Sequence, residues 1–184
     1  MTARRKRPAM PGMRTSADVA SMIRVDHAGE YGAVRIYEGQ LAVFGNRKSE
    51  TADAIRKMAE QEQEHLAAFD RLINERRVRP TALEPVWRVA GFALGAATAL
   101  MGEKAAMACT AAVEEVIDQH YTQQIKRLDG DPPLKQAVET FRADEVAHKN
   151  EALELGAEEA PAYKLLSETI KAGCRLAIKL SERL

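Results

Sequence analysis

Cysteine, net charge and long apolar runs are all scarce in this chain. Only Cys109 and Cys174 occur. Two thiols make neither a disulfide framework nor a Cys-rich zinc or iron–sulfur site, and a reducing compartment is the default. The 27 basic side chains are matched by 27 acidic ones, so the basic footprint of a dedicated nucleic-acid binder is missing. The uncharged run from Val89 to Gly102 has 14 residues, short of the roughly 20 that a transmembrane helix needs. No alternating Val/Ile/Thr runs announce strands, and no Gly-x-Gly-x-x-Gly nucleotide fingerprint is present.

What is present is a 46% hydrophobic, 184-residue chain, which suits one globular domain and argues against disorder. Its charge is unevenly spread. Arg4, Arg5, Lys6, Arg7 and Arg14 give the first 14 residues a charge of +5, which leaves −5 on the remainder. Residues 1–15 read as a basic solvated leader, with contact to anionic lipid as the sharper alternative. They hold no apolar h-region of a secretory signal, and a mitochondrial targeting role stays open. Residues 16–184 form the domain.

Proline punctuates the rest. Between Pro80, Pro85, Pro132, Pro133 and Pro161 run long segments of strong helix formers. Five helices are expected: Ser16 to Phe44, Ser49 to Arg77, Pro85 to Leu128 with a break near Gly102, Leu134 to Leu155, and one from Pro161 to the C-terminus. Helical seams at alternating spacings of three and four reveal an anomaly. The first reads Ile23, His27, Glu30, Val34, Tyr37, Leu41, Phe44. The second reads Ile55, Met58, Glu62, His65, Phe69, Leu72. The third reads Met107, Thr110, Glu114, Ile117, Tyr121, Ile125, Leu128. The fourth reads Leu134, Val138, Phe141, Glu145, His148, Ala152, Leu155. Each seam is apolar except at its middle, where a glutamate sits.

Buried carboxylates that lack partners are costly, and four of them repel one another. Two divalent cations cancel their four charges, and His65 and His148, each three residues after a glutamate, add neutral nitrogen ligands. One Glu from each of two helices and Glu-x-x-His from each of the other two is the composition of a ferritin-like di-iron carboxylate site, and the donors suit iron or manganese. The chain repeats itself in this respect, with 32 residues from Glu30 to Glu62 and 31 from Glu114 to Glu145. Glu60, Glu64 and Glu115 fall off the seams. The expected fold is all-α, a ferritin-like four-helix bundle with an additional C-terminal helix. Asp144 is a candidate partner for a ligand histidine on another helix. His27 is a candidate orienting residue or a satisfied core histidine. His120 and Tyr121 are candidates for a relay, although packing is the simpler role for Tyr121.

Two further stretches bear on partners. The Trp87–Met101 stretch contains Gly91-x-x-x-Gly95 followed by Ala99, a groove of small residues. It reads equally as core or subunit contact in a homo-oligomer, and as a monotopic membrane or lipid-substrate surface. The C-terminal helix is amphipathic and basic at Lys164, Lys171, Arg175, Lys179 and Arg183, suited to anionic lipid or to closing the bundle.

The run Val25-Asp26-His27-Ala28-Gly29-Glu30-Tyr31-Gly32-Ala33 resembles the opening motif of the demethoxyubiquinone hydroxylases of ubiquinone biosynthesis. So do Arg77 to Thr81, Gly91 to Ala96, Ala106 to Thr110, Ala160 to Tyr163, Ala172 to Arg175 and Leu180 to Leu184. The resemblance covers roughly residues 22–184. It implies six iron ligands at Glu30, Glu62, His65, Glu114, Glu145 and His148, the same six that the seams select. It also implies O2-dependent hydroxylation of a polyprenyl demethoxyquinol ring, the penultimate ring modification before the last O-methylation. Electrons from NADH or another reductant would arrive directly or indirectly, and His120 and Tyr121 match positions discussed as a relay. The resemblance further implies a peripheral place on the cytoplasmic face of a bacterial inner membrane, or the matrix side of the mitochondrial inner membrane, beside a lipid-binding partner of the biosynthetic complex. The alternative readings are a ferritin-like iron-storage or ferroxidase protein, a non-catalytic lipid-binding module stabilised by metal, and a di-iron hydroxylase of another large substrate.

Overall fold

The computed structural model describes residues 16–184. The basic leader expected over residues 1–15 lies outside them. The described residues are all-helical: α1 (Ala17–Phe44), α2 (Glu50–Arg76), α3 (Glu84–Leu100), α4 (Glu103–Ile125), α5 (Pro132–Glu154), a 3-10 turn (Ala157–Glu159) and α6 (Tyr163–Ser181).

Local chemistry sets the boundaries. The Ser16 and Ser49 hydroxyls accept hydrogen bonds from the backbone N–H groups of Val19 and Ala52, which caps α1 and α2. Gly45, at φ +56°, stops α1. The long third helix expected from Pro85 to Leu128 is two helices. Gly102 takes φ +116°, a conformation closed to side-chain-bearing residues, and the chain turns there between α3 and α4. Helix α4 ends at Ile125, yet Leu128 is still buried through a short turn.

Helices α1, α2, α4 and α5 form the bundle, with α1 paired to α2 and α4 paired to α5. Helices α3 and α6 lie outside it, α3 against α1 and α6 against α4. The glycines that read as a groove for lipid or another subunit are filled from within the same chain. A Cβ on Gly95 would stand 1.9 Å from the Ile36 carbonyl oxygen, and one on Gly39 would stand 2.2 Å from the Phe92 carbonyl oxygen. Helices α1 and α3 therefore touch backbone to backbone. This contact buries the small residues Gly91, Gly95, Thr98 and Ala99 and leaves Val86, Val89, Phe92 and Leu100 exposed. Among the described residues, no helix is long and apolar enough to cross a membrane.

Two cores flank the bundle centre. Met58, Met107 and Phe44 fill one end, while Ile23, Phe69, Leu134 and Val138 fill the other. Most expected seam positions are buried, but Leu41, Leu72, Ile117, Ile125, Phe141 and Leu155 are only half-buried; at the seam ends this follows from the drift of a seam off the bundle axis.

Asp131 starts α5 and ties it to α2. Its carboxylate accepts the Leu134 N–H at 3.4 Å and both terminal nitrogens of Arg76, at 2.6 and 3.0 Å. The Arg76 contacts hold its carboxyl below the usual range. Replacing Asp131 with Ala should cost about 1 kcal/mol for the cap, and less for the partly exposed ion pair. A lowered folded-state pKa gives stability that is present above the unfolded carboxyl pKa and is lost as pH falls through the folded one. Urea unfolding should show the wild-type advantage at pH 7 and its disappearance in acid.

Candidate metal centre

The four seam glutamates meet at the middle of the bundle. Glu30 on α1, Glu62 on α2, Glu114 on α4 and Glu145 on α5 are all buried to within 1%. His65 and His148, one turn after Glu62 and Glu145, join them at 3% and 2% exposure. His65 Nδ1 lies 3.6 Å from Glu30 Oε2, 3.8 Å from Glu62 Oε2 and 3.3 Å from Glu145 Oε1. His148 Nδ1 lies 3.1 Å from Glu62 Oε1 and 3.6 Å from Glu145 Oε2.

The donors fall into two groups of four. Glu30, Glu62, His65 and Glu145 make one, and Glu62, Glu114, Glu145 and His148 the other; within each, one atom per residue lies within 4.8 Å of all the others. Glu62 and Glu145 belong to both groups. Eight buried atoms of the cluster have no hydrogen-bond partner: Glu30 Oε2, both oxygens of Glu62, His65 Nδ1, Glu114 Oε2, both oxygens of Glu145 and His148 Nδ1. Buried polar atoms are nearly always satisfied. Eight orphaned donors, two sets of four sharing two carboxylates, fit a pair of cations.

The outer contacts repeat between the two halves. Tyr121, seven residues after Glu114, donates its hydroxyl to Glu30 Oε1, and Tyr37, seven residues after Glu30, donates to Glu114 Oε1 at 2.8 Å. Each tyrosine occupies one carboxylate oxygen and leaves the other toward the centre. Burial first, and then the charge of the glutamate each one faces, push both phenols well above their ordinary value, so both stay protonated donors. His65 Nε2 meets Asp144 Oδ2 at 3.1 Å, as expected of Asp144, and His148 Nε2 meets Gln61 Oε1 at 3.1 Å.

Electrostatics show why cations would suit the cluster. Burial and then mutual repulsion push Glu62 and Glu114 well above the carboxylate range. Burial alone would lower the His65 ring, but the nearby Glu145 and Glu30 carboxylates outweigh it and raise it to about 10. Protons on these groups hold the centre together without metal, and cations would displace them.

His27 is not part of this constellation. Its Nε2 meets Asp70 Oδ1 at 3.0 Å, a link between α1 and α2. His120 stands a step away, 3.3 Å from Asp26 Oδ1, with Gln124 bonding both. Tyr121 is more than packing, because it touches Glu30 directly. Glu60 and Glu64 face solvent, and Glu115 pairs with Lys171 at 2.9 Å. That pairing buries Lys171 and removes it from the exposed basic face of α6. Tyr37, Gln61 and Asp26 escaped the sequence reading of the site. The +7 spacing shared by Tyr37 and Tyr121, and the positions of Gln61 and Asp144 immediately before a ligand glutamate, were the available signals. Burial pushes the Cys109 and Cys174 thiols up to about 12 and about 11, which keeps them protonated.

An apolar groove of about 480 Å³ runs between α1, α3, α4 and α6. Gly29 and Val113, the neighbours of Glu30 and Glu114, line its inner wall, and Trp87, Leu94 and Ile178 line its outer parts. Trp87 Nε1 donates to Ser181 Oγ at 3.1 Å and so joins α3 to α6 there.

The family model described as "Ubiquinone biosynthesis protein COQ7" matches residues 17–181. The chain belongs to the COQ7 family of ubiquinone biosynthesis proteins. As the resemblance implied, this makes it an enzyme of the oxidoreductase class. It is 56% identical to the 3-demethoxyubiquinol 3-hydroxylase of Rhodospirillum rubrum over 169 residues, covering 91% of this chain and 79% of that one. It is 53% identical to the human mitochondrial NADPH-dependent 3-demethoxyubiquinone 3-hydroxylase over 173 residues, with coverages of 91% and 79%. The mitochondrial 5-demethoxyubiquinone hydroxylase of Saccharomyces cerevisiae is 39% identical over 179 residues, with coverages of 89% and 77%.

A cluster built for cations behaves differently on mutation from a structural one. Glu62→Gln removes, at nearly constant volume, the cost of protonating this buried carboxyl on folding at neutral pH. The metal-free variant should unfold at a higher temperature than metal-free wild type, by about 2–4 °C for each kcal/mol relieved. Its metal content, measured by elemental analysis, should fall below that of wild type.

Proposed function

We propose that this chain is a 3-demethoxyubiquinol 3-hydroxylase that holds two iron ions through Glu30, Glu62, His65, Glu114, Glu145 and His148. The observation that carries the reading is the set of eight unpartnered buried donors, found in a chain whose relatives are named as hydroxylases of this ring. Bound iron supplies the activation of O2, the co-substrate, for which no side chain here is equipped. Glu62 and Glu145, which belong to both donor groups, would serve both ions, and Glu30 and Glu114 would serve one each.

The chain's own groups do the rest. Tyr37 and Tyr121 restrict Glu114 and Glu30 to one free oxygen each and leave room at the centre. The half-buried His120, with Asp26 and Gln124, forms a polar path from the surface toward Tyr121, suited to moving a proton to Glu30. The apolar groove takes the polyprenyl quinol, with the ring at its inner wall and the tail leaving between α3 and α6. Of the Trp87–Met101 stretch proposed for the tail, Trp87, Ala90, Gly91 and Leu94 line the groove. Storage of iron has no use for such a groove. Electrons come from a reduced nicotinamide, directly or through the quinol or a partner; the human relative's name specifies NADPH.

Membrane attachment is part of the same reading. Val86, Val89, Phe92 and Leu100 on α3 and Met101 just after it, with Leu165 and Leu176 on α6, are exposed. Lys164, Arg175, Lys179 and Arg183 are exposed on or beside α6. Apolar side chains with basic neighbours suit a peripheral seat on anionic lipid, on the cytoplasmic face of a bacterial inner membrane or the matrix side of the mitochondrial one. The same face suits a lipid-binding partner.

Deleting the gene and analysing cellular quinones tests the activity. Accumulation of demethoxyubiquinone is expected, and an unchanged quinone profile would overturn the assignment. The membrane reading is separable. Val89→Glu with Phe92→Glu should reduce co-sedimentation with anionic vesicles severalfold and leave metal content at the wild-type level. Loss of metal with unchanged sedimentation would mark that face as structural.

A further inference from the structure

The two halves of the bundle repeat one another, and the repeat breaks where the two histidines face outward. Each histidine turns Nδ1 to the centre and Nε2 outward. Each Nε2 meets the side chain just before the glutamate of the opposite Glu-x-x-His helix. For His65 that side chain is Asp144, a carboxylate; for His148 it is Gln61, a neutral amide. Two further features match, a tyrosine on Oε1 of both Glu30 and Glu114, and Glu62 and Glu145 common to both groups.

A hydrogen bond from an imidazole N–H to a carboxylate is charge-assisted and about twice as strong as one to a neutral acceptor. It fixes the tautomer, orients the ring and makes the opposite nitrogen the better donor. The His65 ring is also held by Phe141, with ring centroids 4.3 Å apart. The two donor groups are therefore alike in count and unlike in the strength of their histidine. The Asp144 side chain is 37% exposed, so screening moderates the difference.

We propose that the two metal positions are inequivalent: the position built on Glu30 and His65 binds its divalent ion more tightly than the one built on Glu114 and His148, and Asp144 and Gln61 set the difference. This rests on the metal-centre reading above. Both are positioning residues that act through a histidine.

Anaerobic titration of the full-length metal-free protein with Co(II), followed by its visible ligand-field absorption, tests this without reference to activity. Wild type should take up two ions in two steps. Asp144→Asn should weaken the tighter step by about tenfold or more and leave the weaker step in place. Gln61→Glu should tighten the weaker step by a comparable factor. This is a gain in affinity that damage to the fold cannot produce, so it decides the matter if Asp144→Asn proves unstable. Weakening of only the looser step by Asp144→Asn, or an unchanged second step in Gln61→Glu, would overturn the proposal and leave the metal centre standing. Failure of wild type to bind two ions would remove both.

Discussion

Four carboxylates lie within a few ångströms of one another at the centre of an otherwise apolar bundle. Burial raises the cost of each charge, and proximity adds repulsion. These two effects push Glu62 and Glu114 well above the carboxylate range, and the neighbouring carboxylates push His65 up to about 10, so without cations the cluster holds protons instead. The surrounding structure answers this constraint. Two tyrosines, one aspartate and one glutamine each bond a single atom of a cluster residue, and the apolar ends of the seams close the bundle above and below.

The arrangement is that of two helix pairs repeated. In each, the first helix (α1 or α4) contributes a glutamate and, two turns later, a tyrosine that reaches the other pair's glutamate. The second helix (α2 or α5) contributes a polar residue, a glutamate and a histidine in a fixed register. Crossing contacts of this kind lock α1 and α2 onto α4 and α5 through the centre, where apolar packing is interrupted. Helices α3 and α6 stand outside the repeat. They rest on α1 and α4 and wall an apolar groove whose lining includes Gly29 and Val113, the neighbours of Glu30 and Glu114. Glycine contacts between α1 and α3 make this wall thin, and they leave Val86, Val89, Phe92 and Leu100 exposed.

The six cluster residues were legible in the sequence because a charged residue in the middle of an apolar seam violates the rule that the rest of the seam obeys. The helices were legible for the same reason, since period and capping signals are local. Asp144 was legible from its place beside Glu145. Tyr37 looked like ordinary core because an aromatic on a seam is what packing alone would put there. Gln61 looked like surface because it lies off the seam. Which way the small residues of α3 face was also hidden, since Gly91-x-x-x-Gly95 fits a partner helix from any source.

By itself, then, the sequence determined the helices, the repeated Glu and Glu-x-x-His pattern and the demand for cations, because each follows from local periodicity and from the cost of burying charge. Only the tertiary structure decided which oxygens remain free, which residues stand behind each histidine, and that α1 fills the α3 groove while α3 and α6 open another. Those facts depend on which helix faces lie opposite one another, and a contact between residues ninety positions apart has no local signature.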